Sequence, residues 1–342
     1  MRAFLCRTST GHALRWSGTT AKLYDWIMYL TAELRDEIRR HLLAWFALNR
    51  RDLPWRSTRD PYRILVAEVM LQQTQVDRVI PYYERWLAEF PTVHDLARAE
   101  TGDVIRAWAG LGYNRRAVNL QRTARAVVDD HAGVFPADPQ SLRSLPGIGH
   151  YTAGAIAAFA FEADVVFVDT NMRRVIHRLV FGSDIPVPIA SDASVLAAAA
   201  ELLPEGHGWI WNQALIEFGA LHCTRRRPLC VICPLRPECR AVATIQSDIA
   251  TLPTGARLKN EGTFAGSSRQ FRGRIVDALR ERHVLSLDQL GARIKPGYDD
   301  DQEPWLLELV NGLRRDGLVT LREPGPEWDA GEQPPKPLVM LP

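Results

Sequence analysis

At 342 residues and 38.5 kDa the chain is more than twice the usual single-domain length, so a large buried core and a second module are expected. Its 46% hydrophobic and 24% charged residues exclude a fibrous or disordered protein, and no apolar run is long enough for a membrane-spanning helix. The formal net charge of +2 does not announce a polyanion binder, so any such role rests on local patches.

Residues 1–27 are rich in Arg, Ser and Thr, with no acid before Asp25. A transit peptide reads this way, and so does an overextended start; the second is preferred because no apolar segment or cleavage signal accompanies the bias. Residues 1–30 are therefore set aside as an extension. From Thr31, placed as a cap, Leu34, Ile38, Leu42 and Trp45 form a helical stripe. Asp60-Pro61 is a second start signal, leading into Ile64 to Leu71. Thr74 can cap a third helix through Val79, Tyr83, Trp86 and Leu87, ending near Phe90-Pro91. Further helices fit about 93–99, 101–109, 114–131, 139–145, 150–161, 170–181, 191–203 and 208–221, and no alternating strand precedes residue 240. The expectation is an all-α body over 31–240, with a helical barrel at about 61–164 and a lobe made of 31–60 with 165–240.

The Thr, Gly, Ser and Asn-bearing stretch 241–268 reads as a linker. After it, Phe271, Ile275 and Leu279 form a stripe, Ser286 with Gln289 fits a capping box, Trp305 to Arg315 suits a third helix, and Leu318 to Leu321 a short strand. Three helices and a strand suggest a small winged-helix-like module at 269–322. The Pro, Gly and Glu-rich residues 323–342 read as a flexible tail.

Basic residues are unevenly chosen. Only Lys22, Lys259, Lys295 and Lys336 are lysine; the other 38 basic residues are arginine. Chemistry between residues 23 and 258 therefore has no lysine amine to use as a nucleophile. Cysteines are uneven too, with Cys6 alone and Cys223, Cys230, Cys233 and Cys239 in the spacing C-x6-C-x2-C-x5-C. Four thiolates so close can enclose one ion or cluster. A single C-x2-C pair with two flanking cysteines favours a four-cysteine iron-sulfur cubane over a zinc ribbon built from two such pairs. Arg225, Arg226 and Arg227, between the first two cysteines, make either a phosphate clamp or a solvated charge run.

Leu145-Pro146-Gly147-Ile148-Gly149 separates two predicted helices. Its glycines permit a sharp hairpin whose amides face outward at a helix start, a nest for a phosphate; a plain helix-helix turn explains a lone G-x-G about as often. Two carboxylates contrast in surroundings. Glu68 lies within the apolar run 64–71, where desolvation should raise its pKa and keep a proton available. Asp169 follows the apolar run 165–168 and opens a helix, whose dipole should favour the ionised form. One acid and one anionic carboxylate is the pair that glycosidic cleavage needs. Taken singly, each carboxylate is more often a surface glutamate or a helix cap.

Taken in order, these elements resemble the helix-hairpin-helix DNA glycosylases that carry an iron-sulfur cluster, and within them the MutY-type adenine DNA glycosylases. The resemblance covers about residues 31–240. It is carried by Leu53-Pro54-Trp55-Arg56, Glu68-Val69-Met70-Leu71-Gln72-Gln73-Thr74-Gln75-Val76, Gly110-Leu111-Gly112-Tyr113, the 145–149 hairpin, Val168-Asp169-Thr170-Asn171 and the four cysteines. It implies excision of adenine mispaired with 8-oxoguanine or guanine in double-stranded DNA, by a monomer in the cytoplasm, at the nucleoid, with a [4Fe-4S] cluster on Cys223, Cys230, Cys233 and Cys239. By the same resemblance Glu68 protonates adenine N7 and Asp169 supports the oxocarbenium-like sugar. Tyr151 and Asn171 steady the acid, the sugar and the water. Gln73 and Tyr113 enter the stack when adenine leaves it, Thr74 lies near the opposing purine, and Arg56 lines the adenine pocket. Gly147 and Gly149, with Arg225 to Arg227, hold phosphates.

Related endonuclease III enzymes have a strand-cutting lysine where this chain has Tyr151, so a monofunctional glycosylase is expected. Residues 241–342 do not resemble the nudix-like domain that usually completes the family. Asn114 stands where a second tyrosine is common, and Thr170 where glycine is. Thymine or uracil mismatch glycosylases of the same fold are the nearest rival. A non-enzymatic iron-sulfur regulator would explain the cysteines but give the two carboxylates no purpose.

Overall fold

In a computed structural model, residues 29–252, 264–322 and 336–342 are described. Residues 1–28 of the expected extension at 1–30, the middle of the expected linker and residues 323–335 of the expected tail lie outside them. The chain divides into two compact units, one of residues 1–51 with 162–254, the other of residues 52–161 with 255–342.

In the second unit, Asp60 caps α2 (Pro61–Leu71), accepting the Tyr62 amide at 2.9 Å; the helix preceding it in the chain, α1 (Ala32–Asn49), belongs to the first unit. Every residue of α2 from Ile64 to Met70 is buried. It is followed by α3 (Val76–Glu89), α4 (Val93–Arg98), α5 (Thr101–Ala107), α6 (Arg115–His131), α7 (Pro139–Ser144) and α8 (His150–Ala160). Thr74 does not cap α3: Gln75 holds that position without a side-chain bond, and the Thr74 hydroxyl turns to the Gln72 carbonyl at 3.3 Å. The buried run Ala153-Gly154-Ala155 and Ala157-Ala158 lets α8 pack on α2 with little side-chain bulk between them.

The C-terminal elements of this unit run α13 (Ser268–Glu281), β1 (Val284–Ser286), α14 (Leu287–Ile294), α15 (Glu303–Arg315), β2 (Thr320–Arg322) and β3 (Leu338–Met340). The capping box at Ser286 and Gln289 is present. Two expectations are corrected. The chain end is no loose tail, because β3 is the central strand of a three-stranded antiparallel sheet in the order β1-β3-β2, with Val339 opposite Leu285 and Leu321. Nor do these elements stand apart behind a linker: Ile105 and Val118 share one core with Ile275, Leu279, Leu306 and Leu313. Arg280 seals that seam, donating to the Ile105 carbonyl at 2.8 and 3.0 Å and to Asn114 Oδ1 at 3.0 Å.

The first unit contains α1, α9 (Thr170–Val180), α10 (Asp192–Leu202), α11 (Gly208–Leu221) and α12 (Ile245–Ala250). On α1 the buried stripe is Ile38, Leu42 and Phe46, one position on from the predicted Trp45, which meets Phe218 edge-on at 4.9 Å. Glu217, wholly buried on α11, is matched by Arg51 through its backbone amide and guanidinium at 2.7 to 2.9 Å. Helix α12 falls inside the expected linker, held there by Ile245 in a small core with Ile185 and Ala241. No helix among the described residues is long and apolar enough to cross a membrane.

Candidate active site

Glu68 sits on α2 with 7% of its surface exposed, in the apolar setting its neighbours predict. Five residues beyond it, past the end of α2, the chain turns through Gln73 at φ 59°, a left-handed conformation that a side chain adopts only under constraint. The 110–113 loop does the same. Gly110 (87°), Gly112 (69°) and Tyr113 (47°) all have positive φ, and Tyr113 is 55% exposed.

Arg116 explains both. From the first turn of α6 its guanidinium donates to the carbonyls of Val69, Met70 and Gln72 at 2.8, 3.2 and 2.6 Å, and to those of Leu111 and Gly112 at 3.1 and 3.2 Å. One planar fork thus binds the segments that present Gln73 and Tyr113, a task that Lys geometry does not match. Burial lowers its pKa to about 10, which still leaves it charged at neutral pH. Arg56 is half-buried at the end of a 3-10 turn, Pro54–Arg56, anchored by Trp55 against Tyr83 at 5.4 Å.

The 145–149 hairpin rests on α6. Thr123 Oγ1 donates to the Pro146 carbonyl at 2.6 Å, and buried Leu145 and Ile148 anchor the two ends. Gly147 has φ 79°, and a Cβ there would meet Asn119 Cβ at 2.9 Å, so glycine is required. Gly149 is different. It is the extended N-cap of α8, open space surrounds its missing Cβ, and no side chain caps the helix. Tyr151 is half-buried in the first turn.

In the first unit Asp169 caps α9. Its Oδ1 accepts the Met172 amide at 2.7 Å, and its Oδ2 accepts Asn171 Nδ2 at 3.0 Å. Burial pushes its pKa above the ordinary carboxyl value, outweighing these hydrogen bonds and the charge of Arg174. The sign is opposite to that expected from the helix dipole alone. Arg174, unremarked in the sequence, holds the other side of Asn171 through Oδ1 at 2.8 Å, and donates to the Gly219 and Cys223 carbonyls at 2.6 and 2.7 Å. Asp169 is thereby tied through two side chains to the first cysteine.

A carboxyl whose folded pKa is raised is relatively favoured at low pH and opposes folding once ionised. Asp169→Asn, which can still cap α9, is therefore expected to melt higher than the wild type at pH 7, with the gain shrinking on acidification. Thermal melts at two pH values check this; a lower melting temperature at pH 7 would count against it.

Cys223, Cys230, Cys233 and Cys239 are unpaired and line one cavity, walled by Leu179, Phe218 and Leu235. Burial pushes the thiols of Cys223, Cys233 and Cys239 up, Cys233 to about 12 and Cys239 to about 11, so by themselves these three keep their protons. A four-sulfur cavity with mostly apolar walls, bordered by Arg178 and His222, fits a metal centre that would draw off those protons on binding. Arg178 is 2% exposed, paired with Asp184 at 2.6 Å, and donates to the carbonyls of Thr224 and Arg225 at 2.8 and 3.1 Å and to Cys223 Sγ at 3.6 Å. It fixes the backbone of the loop on which Arg225, Arg226 and Arg227 stand exposed.

Glu68, Gln73, Thr74, Tyr113, Tyr151, Arg56 and the hairpin thus belong to one unit. Asp169, Asn171, the cysteines and the three arginines belong to the other.

Residues 66–201 match the model of the HhH-GPD superfamily base excision DNA repair proteins. The adenine DNA glycosylase of Mycolicibacterium smegmatis is 43% identical over 70% of this chain and 79% of its own length. The human adenine DNA glycosylase is 41% identical over 67% of this chain and 42% of its own. Among solved structures, a thermostable thymine-DNA glycosylase aligns with a TM-score of 0.58 at 30% identity, over 62% of this chain and 98% of that one. An endonuclease III trapped as a covalent DNA intermediate aligns at 0.52 and 26%, over 61% of this chain and 97% of that one.

Proposed function

This chain belongs to the adenine DNA glycosylases, within the HhH-GPD base excision DNA repair proteins, and from that premise we propose that it flips out and hydrolytically removes adenine paired with 8-oxoguanine or guanine. The observation that carries the reading is the buried Glu68 on the same helix that ends in the strained Gln73 turn, stapled by Arg116 to the loop of Tyr113. Flipping costs a few kcal/mol. Gln73 and exposed Tyr113 are held ready to fill the vacated stack, so little of their ordering remains to be done on binding. Glu68 donates its proton to adenine N7, turning a poor leaving group into a neutral one. Asp169, oriented by Asn171 and the Met172 amide, offers negative charge to the sugar as the bond breaks. Tyr151 and Asn171 steady the acid and the sugar, Thr74 lies near the opposing purine, and Arg56 borders the adenine pocket. The amides at Gly147 and Gly149, with Arg225 to Arg227, hold phosphates without reading sequence.

Cys223, Cys230, Cys233 and Cys239 would hold a [4Fe-4S] cluster, whose part here is to rigidify the loop that carries the three arginines. Because no lysine lies between residues 23 and 258, hydrolysis ends at base release, without strand scission by a Schiff base. The chain acts as a monomer on duplex DNA.

The thymine-specific reading draws on one observation, the 30% identity to a thymine-DNA glycosylase over nearly all of that protein. Single-turnover base release from duplexes holding A:8-oxoguanine, A:G, T:G and U:G pairs separates the two. Release from the first two pairs alone is expected, and preferential release of thymine or uracil would overturn adenine specificity.

A further inference from the structure

We propose that the groove between α13 and the 110–119 segment is a second DNA-binding site, which grips phosphates of the duplex beside the flipped nucleotide. The inference rests on the glycosylase reading for the identity of its ligand, but on separate residues for its chemistry. The groove, about 720 Å³, is lined by Arg115, Arg116, Arg269, Arg272 and Arg280, and by only two acids, Asp277 and Asp316.

How these cations are already engaged decides what the groove can bind. Arg116 is turned inward to its carbonyls, and Arg280 is held by Asp277 at 2.6 Å, the Ile105 carbonyl and Asn114. Arg272 and Arg115, the latter at 3.5 Å, share the single carboxylate of Asp316. Arg269 is exposed and has no hydrogen-bond or ion-pair partner among the described residues. One acid for three exposed or half-exposed guanidiniums leaves a cationic surplus, in a concave site where a phosphate can be met from two sides.

Position identifies the ligand. Gly110, Gly112 and Tyr113 form the groove's other wall, so a duplex that accepts the exposed Tyr113 ring runs its backbone along Arg115 and Arg269. The module's third helix is unsuited to the task. It is preceded by Asp299, Asp300 and Asp301, begins at Glu303 and exposes Glu308, a surface that repels phosphate where helix-turn-helix proteins present their reading helix. The charge has moved to the first helix, and the contact is with backbone rather than base edges.

The test uses the full chain and a labelled A:8-oxoguanine duplex, with affinity measured across salt concentrations. Arg269→Ala is expected to weaken binding several-fold and to reduce the slope of log affinity against log salt by about one, the signature of a lost phosphate contact. Arg269→Lys should keep the slope, and Arg98→Ala, outside the groove, should leave both quantities unchanged. An unaltered slope and affinity in Arg269→Ala, or an equal loss in Arg98→Ala, would overturn the proposal. Absence of base release from the wild type would count against the glycosylase reading instead, and the slope comparison would still decide the groove.

Discussion

Glu68→Gln is expected to slow single-turnover adenine release by about two to four orders of magnitude while duplex affinity stays close to that of the wild type. Glutamine has nearly the same shape, so α2 keeps its packing, but the amide has no acidic proton to give. Adenine must then depart as an anion, beside a side chain that is itself buried. On the proposed reading affinity is carried elsewhere, by the hairpin amides, the arginine loop and the wedge residues, so it should not follow the rate. Parallel loss of binding and release would indicate a structural role for Glu68, and near-normal release would remove it from the chemistry.

Arg116→Ala should cost about 3–5 kcal/mol of stability, because it strands several buried carbonyls whose donor was a charged, hydrogen-bonded fork. In a unit of this size that corresponds to a fall in Tm of about 10 °C. Affinity for mispaired duplex should fall as well, since Gln73 and Tyr113 lose what holds them in left-handed backbone. Arg116→Lys separates charge from geometry: one ammonium cannot span carbonyls of both segments, so it should recover little. Native melting and native affinity in the lysine variant would show that the staple is unimportant.

The helices were legible because their signals are local. Asp60-Pro61, the Ser286 box and the apolar run around Glu68 all act within a few residues, and each is found where the spacing puts it. The cysteines were legible because four in 17 residues leave few arrangements. The arginines that organise the site were not. In the sequence Arg116, Arg174 and Arg178 look like any other of the 38 arginines until packing brings carbonyls distant in sequence to their guanidiniums. Strand β3 was missed for a related reason: a three-residue strand within a four-residue run between prolines carries little periodicity, and its partners lie up to 56 positions away. The Asp169 dipole argument gave the wrong sign because it set one favourable local term against nothing; burial, which depends on the whole lobe, is the larger effect.

The account's central claim is that a proton passes from Glu68 to N7 of an extruded adenine while Asp169 supports the sugar. Single-turnover base release from a duplex carrying 7-deazaadenine opposite 8-oxoguanine tests it most directly, since carbon replaces the proposed proton acceptor and little else changes. The wild type should bind that duplex about as tightly as the adenine duplex and release no base. Release at a rate near that of adenine would contradict the mechanism.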